Sequence, residues 1–181
     1  MTTNYQISGN HRGLVVDNID PLKQNRVRIR VHGFFDGVED SHLPWAAAAF
    51  PLFTGSGAGF GWFGVPAIRA TVFCFFEQGD YNQPVYFAEA PDGIHGHPTI
   101  ADTNYPNRRG FRTSAGHIIY VDDEDDEILV EHSSGAQLSI TGTVLKLLKD
   151  GASIQIDSSS NISITSSGSV TITGTTVNLN P

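Results

Sequence analysis

Residues 151–181 read GASIQIDSSSNISITSSGSVTITGTTVNLNP. Apolar pairs two residues apart recur through the stretch as Ile154/Ile156, Ile162/Ile164, Val170/Ile172 and Val177/Leu179, and they begin 8, 8 and 7 residues apart. Of the 31 residues, 13 are Ser or Thr and Asp157 alone is charged, a composition that by itself suits a flexible linker. A linker has no reason to keep β-branched residues in register, so the pattern reads as a repeat of one short strand and one turn. Working upstream, Leu145/Leu147, Leu138/Ile140 and Ile128/Val130 extend the same rule. Each repeat offers two side chains to one face, too few to close a core in one chain. Identical chains wound about a common axis solve that problem, and residues 116–181 read as one strand-set of an intertwined trimeric β-helix. A single-chain β-solenoid is the competing arrangement, but its coils are longer than these steps.

The charge separates along the same line. Of the net −8, residues 1–121 hold 9 Lys or Arg against 10 Asp or Glu, and residues 122–181 hold 2 against 9. An acidic C-terminal part repels nucleic acid, whose binding depends on neutralised phosphates. The chain has one cysteine, Cys74, which excludes a disulfide framework and a cysteine-based zinc site. No apolar run reaches the roughly 20 residues of a membrane span, and the first ten residues lack the pattern of a signal peptide.

Residues 11–90 read as a compact barrel. Five stretches, 12–18, 26–32, 43–49, 69–77 and 84–90, are strand-like, and Asp20-Pro21, Asp36-Gly37 and Gly79-Asp80 supply turns between them. Five short strands over this length suit an OB-fold. Arg26, Arg28 and Arg30 alternate with Val27, Ile29 and Val31, giving one wet or protein-facing side and one buried side. The segment FPLFTGSGAGFGWFGVP, residues 50–66, is a long loop carrying large rings. Phe50, Phe53, Phe60, Trp62 and Phe63 are candidates for contact with another protein. Residues 91–115 read as an irregular connector, and residues 1–10 as an N-terminal segment.

In combination these features resemble the central spike of contractile injection machines, the phage baseplate assembly protein V family and the related spikes of type VI secretion. The likeness runs through Asp20-Pro21, residues 26–31, Leu43-Pro44-Trp45-Ala46, Phe75-Phe76-Glu77-Gln78-Gly79-Asp80, Gln83-Pro84-Val85-Tyr86, Thr113-Ser114-Ala115-Gly116-His117, residues 120–123 and 128–132, and the Ser/Thr/Ile repeats. It implies an all-β protein, an N-terminal OB-fold followed by a trimeric β-helix needle. It also implies a homotrimer that meets a baseplate hub protein at the barrel end and punctures a bacterial envelope, in a virion tail baseplate or equivalent particle assembled in the host cytoplasm. The shared core would comprise Ile128, Val130, Leu138, Ile140, Leu145, Leu147, Ile154, Ile156, Ile162, Ile164, Val170, Ile172, Val177 and Leu179. Some family spikes end in a metal-holding His-x-His apex. This sequence has no histidine after His132, so Val177, Leu179 and Pro181 are the expected seat of a separate PAAR-type tip protein.

Candidate chemistry is sparse. His95 and His97 have metal-compatible spacing, but in an irregular connector a surface turn is the plainer reading. The six acidic residues 122–127 lack the spaced oxygen ligands of a calcium loop and read as a solvated turn. No Gly-x-Ser-x-Gly, HExxH or Walker pattern occurs, and no cofactor is implied. The expectation is a non-enzymatic structural protein. The alternative is an OB-fold module for single-stranded nucleic acid or oligosaccharide, with the β-repeats as an oligomerisation tail.

Overall fold

The computed structural model describes residues 7–51, 59–91, 93 and 96–178. Its twelve strands fall into two compact units, residues 1–96 and 97–181.

The first unit is a closed barrel of β1 (His11–Asp17), β2 (Val27–Arg30), β3 (Trp45–Ala48), β4 (Thr71–Phe76) and β5 (Pro84–Glu89), in the order β1-β2-β3-β5-β4 and back to β1. All neighbours are antiparallel except β3 and β5. This is the OB topology, and each strand lies within one of the five expected stretches apart from the first residue of β1. Alternation is the cause: Val15, Val27, Ile29, Val72, Cys74 and Phe76 point inward while their neighbours stay wetter, and Phe35, Leu43 and Ala46 complete the core. β1 must serve two neighbours. It does so with an irregularity in its pairing to β2 between Val15 and Asp17, and with Gly13, where a Cβ would sit 2.1 Å from Ile29 Cγ2. Tyr86 reaches across the barrel to donate to the Asn25 carbonyl at 2.6 Å, and burial pushes its phenol up to about 12.

The second unit is one antiparallel sheet in strict chain order. Its strands are β6 (Arg108–Arg112), β7 (Ile118–Asp122), β8 (Glu127–Glu131), β9 (Gln137–Thr141), β10 (Val144–Lys149), β11 (Ala152–Asp157) and β12 (Ile162–Thr165). The turns explain the repeat length. Gly142-Thr143 and Asp150-Gly151 are two-residue links, and the second has positive φ at both residues, as a type I′ hairpin requires. In the four-residue link after β11, Asp157 accepts the N–H groups of Ser159 and Asn161 through Oδ1. The spacing seen in the sequence is therefore a hairpin step. Its ladder runs within one chain, and among the described residues no strand forms after Thr165, so Val170, Ile172 and Val177 lie outside the sheet.

The expected irregular connector is partly ordered. Thr99–Asp102 forms a 3-10 turn and Arg108–Arg112 is the sheet's first strand, so the sheet begins before residue 116. The sequence RRGFR conceals this because it is charged and broken by glycine. Gly110 is nonetheless what lets the strand fit: a Cβ there would lie 2.1 Å from the Ile119 carbonyl oxygen.

Candidate assembly surfaces

The sheet's two faces differ. On one, Ile118, Tyr120 and Leu129 are buried with Ile100 from the 3-10 turn packed against them. On the other, two cross-strand rows run unbroken. One row passes through Phe111, Ile119, Val130, Leu138, Leu147, Ile154 and Ile164. The second passes through Val121, Ile128, Ile140, Leu145, Ile156 and Ile162. The ten residues assigned to a shared core between 128 and 164 all fall on these two rows. Leu138 is half-buried in the single chain, and the other nine are exposed, from 36% at Ile140 to 69% at Ile162. Val170, Ile172 and Val177 are also exposed, while Leu179 and Pro181 lie outside the described residues. A contiguous apolar face of this length marks an interaction surface.

Residues 123–126 form the exposed turn expected of the acidic run, but Asp122 at its start is not part of it. Asp122 is 1% exposed, and its carboxylate accepts from Arg108 Nε at 2.6 Å, Asn104 Nδ2 at 2.9 Å, and the N–H groups of Glu124 and Asp125. Burial pushes this carboxyl up, but those donors, the Asp125 N–H first, outweigh it and hold it near about 2. Glu127 accepts from the Tyr120 hydroxyl and from Ser139 Oγ. Asp122 thus ties residues 104–108 to the β7–β8 hairpin. Alternation alone could not reveal it, because the residue sits among five other acids.

On the barrel, the arginine row faces the protein's own loops. Arg26 clamps Asp20, which also accepts the N–H groups of Leu22 and Gln24; the Arg26 hydrogen bond is the main cause holding the Asp20 carboxyl far below the usual carboxylate range. Arg28 lies 4.7 Å over the Trp45 ring, and Arg30 donates to the carbonyls of Phe35 and Val38 and to Asp40. These contacts absorb the guanidiniums that a nucleic acid would need. Of the expected hub residues, Phe50 is half-buried, Phe60, Trp62 and Phe63 are exposed, and Phe53 lies outside the described residues. His97 bonds Asp102 at 2.8 Å and His95 lies outside the described residues. Among the described residues no group of three or more His, Cys, Asp or Glu side chains is placed to hold a metal.

An OB barrel followed by a sheet that, among the described residues, leaves one face apolar and exposed is the plan of a structural protein. Residues 11–89 match the family model described as the type VI secretion system/phage-baseplate injector OB domain, and the barrel belongs to that family. The chain accordingly has a structural role of the baseplate-spike type and a tail- or baseplate-associated location. No curated protein matches the chain.

Proposed function

We propose that the chain is the membrane-piercing central spike of a contractile tail or related injection device, acting as a non-catalytic homotrimer. The observation that carries this is the double apolar row, which crosses the sheet from β7 to β12 and stays largely exposed among the described residues. Three such faces turned inward make a dry β-branched prism, and a symmetric ring is the closed arrangement that buries all three at once. The exposed rings Phe60, Trp62 and Phe63 supply the apolar contact for a baseplate hub protein. Val170, Ile172 and Val177 continue the apolar pattern toward a PAAR-type tip protein. The role is mechanical: an axial rod must resist unfolding under load, and separating three interlocked faces sets a high kinetic barrier. A bacterial envelope is the target.

Light scattering on the full chain tests the reading. Three times the 19.6 kDa chain mass, persisting in mild SDS, is the expected result. A 19.6 kDa monomer would overturn it.

A further inference from the structure

The two edges of the second sheet, where its hairpins turn, carry different chemistry. At one edge the β7–β8 turn presents Asp123 and Asp126 beside the apolar rows, and Gly142 of the next turn on that edge leaves room for the Asp126 carboxylate, 2.4 Å from where its own Cβ would stand. Asp123 is paired with Arg109, and no described residue pairs Asp126. At the opposite edge the His117 and His132 rings pack together at a 41° tilt, with centroids 4.4 Å apart. His117 Nδ1 accepts the Ser133 N–H, and His132 Nδ1 accepts the Ser134 N–H and meets Ser134 Oγ at 2.8 Å. With Nδ1 used as acceptor, the proton of each neutral ring sits on Nε2, so each ring keeps an N–H donor. Lys149 adjoins them, donating to Ser134 Oγ at 3.0 Å while contacting Asp150 at 3.1 Å. Glu131, the other acid near this edge, stands opposite Ile118 in the ladder and so lies on the other face. Beside the Lys149–Asp150 pair, the histidine edge therefore offers donors, and beside the Arg109–Asp123 pair, the other offers the carboxylate of Asp126.

Both ends belong to the same hairpin. β7 runs from the histidine edge to the acidic edge and β8 runs back. A rotation about an axis perpendicular to the strands, without translation, keeps each hairpin at its own level. It brings the acidic turn of one copy beside the histidine pair of the next. We infer that copies of this chain join edge to unlike edge, with Asp126 of one copy meeting His117 and His132 of its neighbour. The occupant of each edge is a second copy of this chain, selected by donor–acceptor complementarity, and repetition of one heterologous contact closes a ring. This rests on the trimeric reading above and adds to it which edges meet and what holds the order.

The test is a covalent one on the full chain. In the variant Asp126→Cys with His132→Cys the two positions stand at opposite ends of β8, roughly 16–20 Å apart at about 3.3 Å per residue. That span is beyond the reach of a disulfide within one chain. The native Cys74 is buried in the barrel and does not compete. Oxidation is expected to give a closed covalent trimer on non-reducing gels. A preparation trimeric by mass that stays uncrosslinked would overturn the edge assignment and leave the trimer standing, whereas a monomeric parent chain would overturn the spike reading itself. Charge variants keep the question answerable if the double cysteine chain misfolds. Asp126→Lys alone and His132→Asp alone should each raise trimer dissociation about tenfold, three equivalent seams compounding a roughly twofold loss at each. Combined in one chain they should restore the parent value within about threefold. Equal dissociation for the parent and both single variants would sink the inference.

Discussion

At the scale of single residues, two positions carry more of this fold than their chemistry advertises. Asp122 is a buried carboxylate with four donors, held near about 2. A carboxyl depressed in the folded state adds stability that is complete above its unfolded value of about 3.8 and disappears as pH falls through the folded one. Melting temperature should therefore hold steady above about pH 4 and drop between about pH 4 and 2. Asp122→Asn should flatten its share of that drop and lower the melt at neutral pH, as calorimetry across pH would show. Gly110 is the second. Because a Cβ would meet backbone at 2.1 Å, with Tyr120 Cα at 2.7 Å, no side-chain rotation relieves it. Gly110→Val should cost about 1–3 kcal/mol or detach β6, measured by chemical denaturation and by hydrogen exchange at residues 108–112.

At the scale of elements, the sheet of β6 to β12 satisfies its backbone ladder within one chain and leaves its side chains to find partners elsewhere. The two functions separate experimentally. Ile162→Asp with Ile164→Asp places charges on β12, at the far end of both apolar rows, without touching a turn or the buried face. The expected outcome is a chain whose barrel melts normally but which no longer assembles, followed by sedimentation and by near-ultraviolet dichroism of the barrel aromatics. A stable trimer carrying both aspartates would refute the inward orientation of these rows. The barrel obeys the opposite logic. Its core is closed by Val15, Val27, Ile29 and Val72 from its own strands with Val31 just past β2, and it needs no partner to bury them. The OB barrel should fold whether or not the second unit assembles.

At the scale of the whole molecule, the proposed trimer makes stability a rate. Each chain exposes apolar pairs along most of residues 119–177, and unfolding one chain must strip those pairs from two neighbours. Dissociation in SDS should be slow and strongly temperature-dependent, with a scan-rate-dependent melt for the sheet and a reversible one for the barrel. Reversible, scan-independent melting of both would contradict a load-bearing rod. The net charge of −8 is concentrated after residue 121, which favours solubility of the assembled part and discourages nucleic-acid contact.

Much of this protein was legible in its residues, for a local reason. Period-two alternation decides both that a segment is a strand and which side chains share a face, so the five barrel strands and the pairs from Ile128/Val130 to Ile162/Ile164 could be read one segment at a time. What alternation cannot carry is pairing between segments distant in the chain. The closure of β1 on both β2 and β4, the parallel meeting of β3 with β5, and the use of RRGFR as an edge strand depend on contacts that no local window contains. The acidic run shows the limit most clearly. Six adjacent carboxylates look alike as sequence, and only the fold, by bringing Arg108 and Asn104 to one of them, makes Asp122 an anchor while its neighbour Asp126 is left facing outward at the sheet edge.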